Sequence, residues 1–399
     1  MKKLYFFISL LFFGYSVISQ NYNPVIDSLI NEVKQDSLVA YVRILSGEDS
    51  VIINGTKSII EQRVYNTNDL AADYLVEKLT SFGLSPEKQE YNADGTNIIT
   101  IQEGLEKPDE YYMICAHYDG VTFHAADDNA SGSATVLETA RVLSGMEFPY
   151  SIIYALWDEE EIGLIGSRNY AQDAAENEMD IRGVINIDMI GWDGNDDGLV
   201  EIHTKDVGTS EFITDAMVEV NEDYDLFLDP VIQNPGTGAS DHSSFWNNGY
   251  GAVLLIEGYF SGDFNPYYHS SDDRIDKFNI PYFHTAAQLA FGTFTTLANG
   301  DLTVGTEEFT EPGNKIELIC FPNPSRGNTT IKYYLPDANF VGISIINTLG
   351  QRVVLCENRL KSKGEHLFVF DTSDLTKGIY TILLNARNTR LNNKLVVIN

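Results

Sequence analysis

Apolar runs of strand length alternate with helix-length segments through the middle of this 399-residue chain, and this alternation constrains its fold most. Runs typical of strands occupy 111–116, 151–157, 183–188 and 251–257. Segments with helical periodicity follow them at 132–144, 166–176, 209–221 and 282–298. Such alternation is typical of a parallel sheet between helices. The sequence therefore predicts an α/β fold, with a mixed, largely parallel sheet and helices on both faces.

The chain changes character near residue 300. Residues 301–315 are polar and predict a linker. Beyond them, short alternating runs separated by Gly and Asn turns predict a small C-terminal all-β sandwich domain. At the other end, Lys2 and Lys3 precede an apolar run that is too short to span a membrane and is typical of a signal peptide. We therefore predict a signal peptide at 1–19, a body at 20–300, a linker at 301–315 and the sandwich at 316–399.

Charge is unevenly distributed. Residues 305–399 contain 11 Lys/Arg and 9 Asp/Glu, a balance of +2; subtracting these from the totals of 26 and 58 leaves 15 and 49 in residues 1–304, a balance of −34. Such an acidic body repels nucleic acid and anionic membrane surfaces, so neither is an expected partner. Three cysteines do not make a disulfide scaffold. We expect Cys115 to be a buried core thiol, and spacing leaves the pairing of Cys320 with Cys356 open.

Acidic and imidazole residues stand where the strand-like runs end. His117 comes directly after the run at 111–116, Glu160 and Glu161 come shortly after the next run, and Asp188 ends the third. In open α/β sheets, ligands bind outside the carboxyl ends of the strands. We therefore expect these side chains to emerge together at one edge of the sheet.

Two further residues complete a set of five candidate metal ligands, in which one of the two adjacent glutamates is counted. Asp128 lies just before a predicted helix, whose N-terminus favours negative charge, and His269 lies in Tyr-His-Ser-Ser-Asp-Asp at 268–273. Two histidines and three carboxylates suit a pair of Zn²⁺ ions. If one carboxylate bridges, each ion has one His, one terminal carboxylate and the shared group, with a position open for water or substrate.

Within two of the motifs the residues alone leave alternatives open. Asp127 competes with Asp128 as the bridging ligand, and both are candidates for capping the following helix. Asp188 has the alternative of a salt-bridged or hydrogen-bonded carboxylate at a strand end. Metal coordination is preferred because it offsets the cost of burying a charge.

The acidic run at 158–161 offers both a ligand and a base. Glu160 and Glu161 are adjacent, so we expect one to bind zinc and the other to act as general base. Asp158 and Glu159 extend the run, and spacing does not exclude them. Asp119 is placed to receive the second ring N–H of His117 and so to orient that ring.

The five motifs together resemble the co-catalytic dizinc aminopeptidases of bacteria, a family related to glutaminyl cyclase and to the transferrin-receptor ectodomain. The resemblance covers roughly residues 25–300 and implies a fold of the zinc-exopeptidase type. It implies one zinc held by His117 and Asp188, a second held by Glu161 and His269, a bridging Asp128, Glu160 as general base and Tyr268 as oxyanion donor. It further implies a cis peptide at Asp128–Asn129 and a substrate-pocket element at Ser240, Asp241 and His242.

The tail resembles the C-terminal sorting domain of the bacterial type IX secretion system. The resemblance rests on Pro-Asn-Pro at 322–324, Leu-Gly-Gln at 349–351, Gly-Ile-Tyr at 378–380 and the final Lys-Leu-Val-Val run. It implies a secreted or cell-surface protein that is exported through the periplasm by secretion machinery.

These observations predict a secreted zinc-dependent aminopeptidase that acts on peptides with a free N-terminus. The alternatives are a glutaminyl cyclase-like enzyme with one catalytic zinc and a non-catalytic binding module on the same fold. One other motif, Asp-Gly-Asn-Asp-Asp-Gly at 193–198, matches the first half of a calcium loop. Its twelfth position is Thr204 rather than Glu, so a polar turn is preferred to a Ca²⁺ site there.

Overall fold

The computed structural model describes residues 22–64, 67–300, 317–335, 339–347, 352–373, 375–386 and 389–398. The predicted signal peptide, the predicted linker and the Leu-Gly-Gln motif lie outside the described residues. In the described part no helix is long and apolar enough to cross a membrane.

The body alternates helices and strands much as the sequence predicts. Its helices are α1 (Pro24–Ile30), α2 (Gln35–Leu45), α3 (Asp69–Ser81), α4 (Gly132–Leu143), α5 (Ile165–Glu176), α6 (Ser210–Asp223), α7 (His242–Trp246) and α8 (Ile280–Asn299). Its strands are β1 (Val51–Ile53), β2 (Thr56–Ser58), β3 (Glu87–Glu90), β4 (Thr96–Gln102), β5 (Lys107–His117), β6 (Tyr150–Trp157), β7 (Asp180–Ile187), β8 (Leu199–His203), β9 (Asp229–Gln233) and β10 (Ala252–Ile256).

Eight strands form one mixed sheet in the order β3-β4-β6-β5-β7-β10-β8-β9. The four central strands β6, β5, β7 and β10 are parallel to one another. The antiparallel pairs are β3–β4, β4–β6 and β10–β8. The predicted mixed, largely parallel sheet is confirmed, and its parallel centre is the part that carries the candidate residues.

Helices cover both faces of this sheet because the central strands are apolar on both faces. In β5, Ile114 and Ala116 pack into the core formed with α2, α4 and α8, whereas Met113 and Cys115 pack against α5 and α7 on the opposite face. This follows from the two-residue period of a strand. Cys115 is fully buried and free, as predicted.

The sequence pattern does not predict β8 and β9. β8 reads Leu-Val-Glu-Ile-His, and its Glu201 and His203 interrupt the apolar pattern that identifies a buried strand. Both residues are nevertheless completely buried. The strand forms because β8 pairs with both β10 and β9 in the finished sheet.

The C-terminal region is all-β. Its strands are β11 (Glu317–Phe321), β12 (Asn328–Leu335), β13 (Asn339–Ile346), β14 (Arg352–Lys361), β15 (Gly364–Asp371), β16 (Gly378–Ala386) and β17 (Thr389–Val397). They form a three-stranded sheet, β11-β12-β15, and a four-stranded sheet, β14-β13-β16-β17, both antiparallel. Residues of both sheets, such as Ile331 and Ile382, share one apolar core. The predicted small β-sandwich is confirmed.

Candidate metal centre

The candidate ligands gather at one edge of the sheet, beyond the carboxyl ends of its parallel strands. His117 is the last residue of β5, Glu161 lies on the turn after β6, and Asp188 directly follows β7. Asp128 lies in the segment between β5 and α4, and His269 lies on the loop after β10. Such convergence is what parallel strands produce, because their carboxyl ends meet at the same edge.

Asp128 lies between two histidines and faces each with a different oxygen. His117 Nε2 is 3.4 Å from Asp128 Oδ1 and 3.3 Å from Asp188 Oδ1. His269 Nε2 is 3.1 Å from Asp128 Oδ2 and 3.2 Å from Glu161 Oε2. The arrangement therefore consists of two groups that share one carboxylate, as expected for a bridging ligand.

The side chains of both groups suit metal ions. Among the described residues, His117, Asp128 and Asp188 form one potential metal-binding group, and Asp128, Glu161 and His269 form the other, with the ligand atoms of each within 4.8 Å of one another. Glu161 Oε1 is buried and accepts no hydrogen bond from the described residues, which leaves a lone pair for a cation. Imidazole nitrogen and carboxylate oxygen are ligands that Zn²⁺ accepts.

Electrostatics at the site also favour a cation. Burial raises the pKa of Glu160 well above its usual range and that of Glu161 to about 7. Hydrogen bonds to Asp128 and Glu161 raise the pKa of His269 to about 10. The site thus attracts protons, and a divalent cation would compete with those protons for the same lone pairs.

The rival carboxylates of the sequence analysis point elsewhere. Asp127 accepts hydrogen bonds from Gly191 N at 2.8 Å and from Asn265 Nδ2 at 2.8 Å. Asp158 accepts from Asn68 Nδ2 and Thr96 N, and Glu159 accepts from Asn92 Nδ2 at 2.6 Å. None of these three contributes an atom to the two metal-binding groups. Geometry thus favours Asp128 and Glu161 over their neighbours as metal ligands.

Asp119 contacts more of the site than the sequence predicts. Its Oδ1 lies 3.4 Å from His117 Nδ1. That ring nitrogen is buried and makes no hydrogen bond to the described residues. The same carboxylate accepts the backbone N–H groups of Glu160 at 3.1 Å and Glu161 at 3.2 Å. Asp119 therefore ties the turn after β6 to the end of β5, in addition to its predicted position beside the ring of His117.

Two further residues, which the sequence alone does not indicate as functional, form hydrogen bonds with the backbone of the segment that contains Asp128. The guanidinium of buried Arg63 donates to the carbonyl oxygens of Leu45, Tyr118, His124 and Ala125 at 2.5–2.9 Å. Asp273 accepts the backbone N–H groups of Asp127 and Asp128. Asp273 stood in the quoted motif at 268–273, but no sequence signal identifies Arg63, whose partners are up to 62 residues away.

The peptide bond Asp128–Asn129 is cis, as the family resemblance implies. Asn129 Oδ1 accepts the backbone N–H of Gly132 at 2.8 Å, so Asn129 rather than either aspartate provides a side-chain acceptor at the start of α4. Ser131 Oγ donates to Asp127 O, which further orders the segment.

The element at 240–242 approaches the site from the side of α7. Ser240 Oγ donates to Asp188 Oδ2 at 2.7 Å and so orients that carboxylate. His242 is buried, and its Nε2 lies 2.9 Å from the carbonyl oxygen of Thr237. Asp241 is buried with neither oxygen hydrogen-bonded within the described part, and burial raises its pKa to about 7.

A cavity of about 330 Å³ opens beside the ligands. Its polar end is formed by Asp128, Glu160, Glu161, Asp188 and His269. The remaining wall is largely apolar or aromatic and includes Leu164, Met189, Leu254, Ile256, Tyr259, Phe264 and Tyr268. The ring of Tyr268 stacks on that of His269 with centroids 3.7 Å apart, which places Tyr268 at the boundary between the two parts.

The loop considered as a calcium site forms a hydrogen-bonded turn. Asp193 accepts the N–H groups of Asp197 and Gly198, and Asn279 Nδ2 donates to Asp193 Oδ2. These hydrogen bonds give the loop the form of the polar turn that the sequence favours.

Comparisons with known proteins agree with this architecture. The fold resembles the LapA aminopeptidase of Legionella pneumophila, with a TM-score of 0.60, 21% identity, and coverage of 72% of this chain and 78% of that one. It also resembles a glutaminyl cyclase of Bacteroides thetaiotaomicron, with a TM-score of 0.53, 19% identity, and coverage of 66% and 97%. The fold, a mixed and largely parallel sheet with helices on both faces, is thus shared with these proteins.

Residues 97–293 match the model for peptidase family M28, and residues 320–398 match that for a secretion system C-terminal sorting domain. Aminopeptidase YwaD of Bacillus subtilis is 30% identical over 203 residues, which are 50% of this chain and 44% of that protein. The chain spans about half the length or less of the first curated relatives that it matches. The body of the chain thus resembles peptidase family M28, and its C-terminal end resembles a secretion sorting domain.

Proposed function

We propose that this protein is a secreted zinc-dependent aminopeptidase that removes N-terminal residues from peptides. The observation that carries the proposal is the pair of histidine–carboxylate groups that share Asp128 and open onto a cavity with apolar walls. We assign His117, Asp128 and Asp188 to one zinc ion and Asp128, Glu161 and His269 to the other. When bound, a pair of zinc ions lowers the pKa of water and polarises the scissile carbonyl.

Glu160 is the proposed general base. Its side chain lines the cavity and is not needed by either ligand group. Its raised pKa suits a carboxylate that accepts a proton from the attacking water and passes it to the leaving amine. Asp119 fixes the backbone of Glu160 and so limits the positions that this carboxylate can reach.

Tyr268 is the proposed donor to the developing oxyanion. Burial raises the pKa of its hydroxyl above the usual range, so the group stays protonated at neutral pH and can donate a hydrogen bond. The stacking of Tyr268 on His269 keeps its ring at the mouth of the ligand cluster.

The cavity supports an exopeptidase with a preference for apolar N-terminal side chains. Carboxylates at its polar end attract a free α-amino group, and Met189, Leu254 and Ile256 offer an apolar surface to the side chain beside it. Burial of apolar surface contributes about 25 cal/mol per Å², so a leucyl residue gains more here than an alanyl one.

We further propose that the sorting domain directs export through the periplasm by a type IX route and is not needed for catalysis. The sorting-domain match at residues 320–398 supports this proposal. Within the described tail, no group of residues resembles the ligand sets of the body.

The test is to load the purified chain with zinc, count metals by elemental analysis, and measure release of a chromophore from aminoacyl substrates. The expected result is two zinc ions per chain and release from substrates with a free amine, but not from N-acetylated ones. Cyclisation of glutaminyl peptides with one zinc per chain would establish the glutaminyl cyclase alternative. Two bound ions without either activity would indicate a non-catalytic module.

A further inference from the structure

A completely buried hydrogen-bonded pair on β8, Glu201 with His203, lies between two loops that form walls of the cavity. His203 Nε2 is 2.8 Å from Glu201 Oε2, and neither side chain is exposed to solvent. The pair belongs to neither ligand group, and the proposed chemistry does not use it. Burying a charge this completely costs several kcal/mol unless hydrogen bonds satisfy it, so its partners are informative.

The first wall is the loop that contains Thr237, Ala239 and Ser240, all of which line the cavity. His203 Nδ1 accepts the backbone N–H of Thr237 at 3.0 Å. Gly236 allows this approach, because a Cβ there would lie 2.6 Å from the Cβ of His203. Through Ser240 the same loop reaches Asp188 Oδ2.

The second wall is the loop after β10, where Tyr259 and Phe264 line the cavity. Glu201 Oε1 accepts the backbone N–H of Phe260 at 2.8 Å and the hydroxyl of Ser261 at 2.6 Å. The ring of His203 packs on Tyr259 with centroids 6.2 Å apart and on Phe260 at 5.4 Å. Both walls are therefore attached to the same two side chains.

The protonation of the pair follows from its partners. A backbone N–H can only donate a hydrogen bond. The Nδ1 atom of His203, which faces the N–H of Thr237, must therefore be unprotonated and accept with its lone pair. The ring is then neutral with its proton on Nε2, from which it donates to Glu201. By accepting the Nε2 proton, Glu201 fixes the tautomer of His203 that can accept the N–H of Thr237 in the first wall. The other oxygen of Glu201 accepts the hydrogen bonds from the second wall.

Two residues at the floor of the cavity lie directly opposite Glu201 and His203 on the neighbouring strand. On the antiparallel neighbour β10, Leu254 is opposite His203 and Ile256 is opposite Glu201, and both of these apolar residues line the cavity. Residues directly opposite each other in an antiparallel pair point to the same face of the sheet. The pair therefore lies beside the floor, at the place where both walls meet it.

We propose that Glu201 and His203 are positioning residues that set the separation of the two cavity walls and so select the N-terminal side chain that the cavity accepts. This inference rests on the proposed aminopeptidase function. Aromatic contacts extend from the second wall to the site: Tyr259 to Phe264 at 5.1 Å, and Phe264 to Tyr268 at 5.0 Å.

The first test measures the walls directly, by hydrogen–deuterium exchange of the full chain. In Glu201→Gln a single amide oxygen replaces the two carboxylate oxygens that accept from His203 and from Phe260, so we expect faster exchange in residues 258–262, in residues 236–238, or in both. In His203→Gln, where the amide nitrogen can still donate to Glu201 but no acceptor faces Thr237, we expect faster exchange in residues 236–238. The matched control is Glu138→Gln, because Glu138 is an equally buried carboxylate that accepts hydrogen bonds from Lys34 N and Arg141, on a helix away from the cavity.

The second test compares leucyl with alanyl substrates in the same variants. We expect the ratio of the two kcat/KM values to fall about 10-fold in Glu201→Gln, within the range that apolar pocket contacts give, and mainly through KM of the leucyl substrate. The alanyl kcat and the zinc content should stay near those of the unmodified chain. Glu138→Gln should leave the ratio unchanged.

Unchanged exchange at both loops, or an equal loss for both substrates, overturns the inference. A wild-type chain that binds zinc but releases no aminoacyl group contradicts the proposed function instead. In that case the exchange measurement still decides whether the pair positions the walls, so the two failures are distinguishable.

Discussion

The body and the tail of this protein bury different kinds of residue. The body buries many titratable side chains, such as Asp119, Asp241 and Glu257, close to its candidate metal centre. In the described tail the buried polar residues are the hydroxyl side chains of Ser325, Thr329, Ser344 and Thr372, and the rest of the core is apolar. Buried charge is costly unless it is compensated, so its concentration in the body marks where binding and chemistry are expected.

The strongest test of this comparison removes carboxylates from the body and, as a control, one carboxylate from the tail. Glu160→Gln should lower kcat by at least about 10²-fold while metal content stays the same, because a general base contributes 10²- to 10⁴-fold. Asp128→Ala should instead release metal, since both groups use this carboxylate. Steady-state kinetics and elemental analysis measure the two effects.

The tail control for this prediction is Asp371→Asn, at a carboxylate that accepts hydrogen bonds only locally, from Ser373. This variant should change neither kcat nor metal content. Full activity in Glu160→Gln would show that Glu160 is not the general base. Retained metal in Asp128→Ala would contradict the proposal that Asp128 binds both metal ions.

The second prediction concerns stability. Arg63→Met should lower the free energy of unfolding of the body by about 3–5 kcal/mol, because it leaves buried carbonyl groups unpaired and removes a buried charge from beside several carboxylates. Denaturant unfolding of the zinc-free chain measures this loss. Arg43→Met is the control: Arg43 forms surface ion pairs with Glu48 and Asp49, which contribute about 0–1 kcal/mol. Equal losses in the two variants would show that Arg63 has no special role.

The smallest effect is expected from removing the tail. A chain that ends at Asn299 should keep kcat/KM within about twofold, because every proposed site residue lies in the body and the cavity is lined only by body residues. In the native secreting cell, the chain that lacks residues 316–399 should be retained, as measured by the fraction in the medium. A folded but inactive truncated body would mean that the tail completes the active site.

The candidate ligands could be predicted because their positions depend on local sequence and on one general property of sheets. His117 and Asp188 stand where apolar runs end, and the carboxyl ends of parallel strands meet at one edge. Asp128 and Asp127 were harder to separate, since adjacent residues have the same spacing. The hydrogen bonds of Asp127 to Gly191 and Asn265, which lie 64 and 138 residues away, favour Asp128 as the ligand.

The sequence by itself determined the α/β body, the all-β tail and the residue types of the candidate metal centre, because hydrophobic periodicity and strand-end placement are local properties. Only the tertiary structure revealed Arg63 behind Asp128 and the Glu201–His203 pair between the cavity walls. In β8 the polar residues Glu201 and His203 break the apolar pattern, so they are identified by their contacts with residues 34 to 60 positions further along the chain. A buried charge is tolerated only when distant groups satisfy it, and those groups are brought together by folding.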